Sequence, residues 1–73
     1  LSNRTRLELG SRAALAKAVP TLARWLKKVV IFELPSGKVS GKLVRLVGPD
    51  ATVEWNGKTT TVNLLEARSV LLD

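Results

Sequence analysis

"TLARWLKKVVIFEL", Thr21 to Leu34, changes its period partway along. Up to Lys28 the apolar residues recur at helical spacing. From Val29 the chain turns dense in β-branched and aromatic residues, and "VVIFEL" reads as a strand. The change near Lys28 and Val29 divides the chain into an N-terminal helical segment, 1–28, and a β segment, 29–73, read together as one folded unit.

Upstream, Leu7, Ala14, Leu15, Ala18, Leu22, Trp25, Leu26 and Val29 keep helical spacing. "TRLE", Thr5 to Glu8, fits a capping box. It predicts a helix from about Arg6 to Ala18, through the alanine-rich "RAALAKA". Gly10 weakens that helix by roughly 1 kcal/mol relative to alanine. Pro20 predicts an end or a kink near Ala18 or Val19, and Thr21 can cap a second short helix through Lys28. Either two short helices or one kinked helix results. Trp25, on the apolar stripe, reads as glue between helix and sheet, or as an exposed anchor for a partner.

Downstream, turn signals cut the chain into short strands. "PSG" at Pro35–Gly37 and "GPD" at Gly48–Asp50 bound "KVSGKLVRLV", where Gly41 predicts a bulge or tight bend. "ATVEW" places Val53 and Trp55 on one face. Asn56-Gly57 between alternating strands is a strong hairpin signal, because both turn residues need positive φ. "KTTTVNL" returns, with Thr59 and Thr61 on a polar face. "LEA" makes a tight turn, and "RSVLLD" is a fifth strand. Five short strands in about 45 residues predict a small bent barrel, since closure removes exposed edges.

The chain has 73 residues, with neither cysteine nor histidine. A chain this short buries only about 60% of its unfolded surface, so oligomerisation is a plausible source of extra burial. Disulfides, thiolate metal sites and histidine chemistry are excluded, and no cofactor or metal is expected. The composition suits a cytoplasmic protein. No apolar run reaches the ~18 residues that span a bilayer, so no membrane partner is expected. No signal peptide is visible, and the chain begins at Leu1 rather than methionine, so the natural N-terminus is expected to lie upstream.

The formal charge is +6, and its distribution says more than its size. Residues 1–28 carry Arg4, Arg6, Arg12, Lys17, Arg24, Lys27 and Lys28 against Glu8 alone. Residues 29–73 carry Lys38, Lys42, Arg45, Lys58 and Arg68 against five carboxylates, and balance. All the net charge therefore sits on the helical segment, which points to an anionic partner there. The plainer alternative is a solvated basic helix.

"VIFELPSGKVSGKLVRLVGPDATVEWNGKTTTVNLLEARSVLL" resembles the SH3-like small barrels. Its glycine turn, "GKL", polar hairpin and closing strand are similar to Sm/Hfq-like proteins. It is also similar to the C-terminal barrels of retroviral-type integrases and of ribosome maturation factors, and to Tudor domains. The resemblance implies architecture rather than activity, because such barrels host unrelated roles.

The expectation is an α+β, mostly β protein: a five-stranded SH3-like barrel preceded by one kinked or two short helices. Its expected function is non-enzymatic binding of DNA or RNA, largely through phosphates, by the seven N-terminal cations. Lys38, Lys42, Arg45 and Lys58 are secondary candidates, although solubilising strand-face roles suit them as well. Trp55 could stack on a base, but cross-strand packing in the core is the commoner role. The alternative class is a protein-interaction or assembly module, with an acidic protein or a second copy docking on the barrel surface or a strand edge. An enzyme is not expected: no base neighbours the threonines, Glu33, Glu54 and Glu66 form no motif, and "GKVSGK" lacks phosphate-loop spacing.

Overall fold

The computed structural model describes residues 5–73, and its first element is a strand. β1 spans Arg6–Glu8 and pairs antiparallel with β6, Ser69–Leu72. The Leu9 N–H donates to the Arg68 carbonyl at 2.9 Å, and the Thr5 carbonyl accepts from the Leu72 N–H at 3.0 Å. The expected capping box at Thr5–Glu8 therefore does not form. "RLEL" alternates polar and apolar residues, so an extended chain sends Leu7 and Leu9 to the core side and Arg6 and Glu8 to solvent. Gly10, at φ +100°, then turns the chain. Ser11 is the true N-cap, its Oγ accepting from the Ala14 N–H at 3.1 Å.

α1, Arg12–Arg24, is one helix that runs through Pro20. Neither a pair of short helices nor a Thr21 cap is present. Ala18, Leu22 and Trp25 lie on one face and are buried on both sides of the proline. Pro20 itself is exposed. At that position the Ala16 carbonyl it leaves without a donor can turn to water, so the shared buried face outweighs the lost backbone bond. Trp25 is the C-cap and is only 5% exposed. Lys27 then takes φ 73°, turning the helix into the next strand, and its N–H donates to the Leu43 carbonyl at 2.6 Å.

The remaining strands are β2, Val29–Leu34; β3, Gly37–Val47; β4, Asp50–Trp55; and β5, Lys58–Asn63. All are antiparallel in one open six-stranded sheet of order β1-β6-β2-β3-β4-β5. The fold is thus mostly β with one short helix. Six strands form where five were expected, because the "RLEL" segment adds itself to the outer edge of β6. Among the described residues β1 and β5 remain the two edges, and no pairing closes the sheet.

Asn56 at φ 52° and Gly57 at φ 77° make the expected tight turn between β4 and β5. The register shift on β3 falls between Leu43 and Arg45, not at Gly41. Gly41 has a different reason to be glycine. A Cβ there would stand 2.8 Å from the Glu54 carbonyl oxygen, so β4 packs against bare backbone.

Phe32, Leu43, Val53, Val62, Leu64 and Val70 join Leu22 and Trp25 in a single core. The Cα radius of gyration, 11.0 Å, matches the ~11 Å of a close-packed chain of this length. Among the described residues no helix is long and apolar enough to cross a membrane.

Candidate nucleic-acid interface

The helix decides how its cations are displayed. At about 100° per residue, Lys17 and Arg24, seven positions apart, share one solvent-facing side. Arg12 is turned about 140° from Lys17 and sits at the opposite end. Lys27 and Lys28 follow Arg24 in the turn that leads to β2. Lys17, Arg24, Lys27 and Lys28 are all exposed, and none makes an ion pair within the described residues. Arg24, Lys27 and Lys28 also stand at the negative end of the helix macrodipole, which favours cations there.

Among the described residues the N-terminal cations do not form one track. Arg4 lies outside the described residues. Arg6 is on β1, with its Nε 3.8 Å from Glu8 Oε1 and 3.9 Å from Glu33 Oε1. Arg12 lines an apolar groove with Leu15, Val19, Leu46, Pro49 and Leu65. It is the first helical residue, where the macrodipole disfavours a positive charge.

On the sheet, charges alternate in sign across strands. Lys38 pairs with Glu33, and Lys42 stands between Val29 and Glu54. Arg45 pairs with Thr52 and borders a small hollow with Asp50 and Thr61. The Glu33 carboxyl is held below the usual carboxylate range, first by the Ser69 hydroxyl and then by Arg6, Lys38 and Arg68, against the opposing effect of desolvation. Lys38, Lys42 and Arg45 thus each have a carboxylate on a neighbouring position of the sheet, whereas Lys58 pairs with Trp55.

Trp55 is 60% exposed, which corrects the expectation of a core or half-core residue. Ala51, Val53 and Trp55 share a face by strand alternation. The first two are buried, but the third has run past the core toward the hairpin tip. Its register partner is Lys58, also exposed. An indole beside an ammonium group, both open to solvent, suits base stacking with phosphate contact. The sequence signal was there: Trp55 directly precedes the turn, where a strand has left the body of the sheet.

The apolar groove was not anticipated. It has a volume of ≈ 650 Å³, and it lies between α1 and the turns at Gly48–Pro49 and Leu65. Val19 and Ala16 were legible as residues off the helix's buried stripe, but the turns that complete the groove come from distant parts of the chain. No family model, no curated protein and no solved structure matches this chain.

Proposed function

We propose that this domain is a non-enzymatic nucleic-acid-binding module that grips the phosphate backbone. The observation that carries the reading is the exposed group Lys17, Arg24, Lys27 and Lys28, four cations without an ion-pair partner among the described residues, Lys17 midway along α1 and the other three at its C-terminal end. Such contacts give affinity with little sequence preference. Trp55 and Lys58 would add a stacking contact at the hairpin tip. We also read β2 to β6 as a small SH3-like barrel left open, with β1 added outside it. The neighbour order β6-β2-β3-β4-β5 and the long bulged β3 support that reading.

Titration of a fluorescent random-sequence single strand and duplex at two salt concentrations tests the function. Tighter binding at low salt is expected. Arg24→Glu, Lys27→Glu and Lys28→Glu together should weaken all sequences alike. Each lost phosphate contact should shallow the log–log salt slope by about 0.7 to 0.9. Reversal of Lys38 and Lys42 should do much less. Absence of salt-dependent binding overturns the reading.

The apolar groove favours a second reading, a protein-interaction module. Val19, 37% exposed, stands in it beside Leu46 and Pro49, with Arg12 at its margin. An apolar segment carrying a carboxylate would fit both features, and loss of its binding in Val19→Glu with nucleic-acid binding intact would separate the two readings.

A further inference from the structure

β5 is an edge strand with little to keep another strand away. Edge strands in monomers are usually kept short, charged, bulged or interrupted by proline. β1, the opposite edge, is three residues long and carries Arg6 and Glu8. β5 is six residues long, pairs with β4 in continuous register, and has one charge, Lys58, at its start. Lys58 to Thr61 are all exposed.

The turn fixes which backbone groups are free. In a two-residue hairpin turn the flanking residues, Trp55 and Lys58, exchange hydrogen bonds with each other. Pairs then alternate along the ladder, so Thr60 and Val62 also bond to β4. Thr59, Thr61 and Asn63 direct their N–H and C=O groups to the open side. The Asn63 carbonyl already accepts from the Glu66 and Ala67 N–H groups, at 3.0 and 3.1 Å. Thr59 and Thr61 are therefore the two residues with both groups to offer.

We propose that β5 is a self-association edge that pairs antiparallel with β5 of a second copy across a two-fold axis. The pattern is self-complementary. A two-fold normal to the sheet keeps like faces together, so Thr59 pairs with Thr61 of the partner subunit and Thr60 lies on the axis. This register makes about four backbone hydrogen bonds. It also sets threonine opposite threonine at all three positions, a favourable cross-strand pair, with no like charges facing. A head-to-tail ring through β6 is barred, because β1 occupies the outer edge of β6. A chain this small gains needed burial from a second copy, although one edge contact buries little area and makes a weak dimer.

The test does not depend on nucleic-acid binding. Sedimentation equilibrium up to millimolar concentration should reach twice the 7.9 kDa of one chain. Thr60→Lys sets like charges across the axis, and Thr61→Pro removes a free N–H without breaking the β4 ladder. Both should return the mass to one chain while circular dichroism stays unchanged. The chain has no cysteine, so an introduced one reports a single position. Thr60→Cys should oxidise readily to a covalent dimer, since opposed Cα atoms lie about 4.5 Å apart. Thr59→Cys should not, because its own counterpart is roughly 8 Å away. A single-chain mass at every concentration overturns the proposal, as does dimerisation that survives both substitutions in folded protein. If those variants unfold, the cysteine pair decides: equal or reversed cross-linking overturns it.

Discussion

The Ser69 hydroxyl, fully buried, donates to Glu33 Oε1 at 2.7 Å across the β2–β6 ladder, where the two residues are register partners. This bond is the leading reason the Glu33 carboxyl is held below its ordinary value near 4.5. A carboxyl with a lowered folded-state pKa stabilises the fold above its unfolded pKa. That contribution is lost as pH falls through the lowered value. The wild type should therefore lose stability below about pH 4.5, and Ser69→Ala should be less stable at neutral pH with a flatter acid limb. Melting curves from neutral to acidic pH check both effects. An acid limb unchanged in Ser69→Ala would assign the acid sensitivity to other carboxylates.

Gly41 is closed to any side chain by β4. Its added Cβ would meet the Glu54 carbonyl oxygen at 2.8 Å and Val53 Cβ at 3.3 Å. Neither neighbour is the free end of a flexible chain. Gly41→Ala should cost about 1–3 kcal/mol, as overpacking does. Chemical denaturation measures it, and an unaltered midpoint would mean that β3 and β4 separate there at no cost.

Gly57→Val should be costly for a different reason. Gly57 has no atom within 4 Å of an added Cβ, but its φ is 77°. The left-handed backbone penalises side chains by about 1–2 kcal/mol, and a β-branched one most. Stability equal to wild type in the same denaturation series would contradict the turn geometry.

The two tryptophans should separate stability from binding. Trp25, 5% exposed in the core, should cost about 3 kcal/mol or more as Trp25→Ala. Trp55→Ala should change stability by no more than about 0.5 kcal/mol, as surface changes do. In a Trp25→Phe background, Trp55 fluorescence should be quenched by a single-stranded oligonucleotide. A steady signal at saturating ligand would remove Trp55 from the interface.

Arg12 works against the helix it begins. No acid occupies the first turn of α1. Arg12→Glu should raise stability by about 0.3–1 kcal/mol at low ionic strength, with the gain shrinking in salt. A loss of stability on thermal melting would show that Arg12 is held by contacts stronger than the dipole.

Period and turn chemistry in the sequence determined the helix-to-strand change near Lys28 and Val29, the strands of the β segment and the Asn56-Gly57 turn. These are local properties, set by φ preferences and side-chain alternation. The clustering of charge before residue 29 is equally a matter of sequence. Local signals failed where two of them competed and a distant partner settled the outcome. Thr5–Glu8 satisfies a capping pattern and also alternates; β6, more than sixty residues on, offered a ladder that made it a strand. Pro20 signals a break, yet Leu22 and Trp25 bury against the sheet and carry the helix through it. Trp55 lies on the core face of its strand, but the core ends at Val53. The division of the basic residues between Arg6's carboxylates, the groove and the helix end also required the fold. Which charges meet depends on strand order and helix rotation, and those are fixed by packing among residues far apart in the chain.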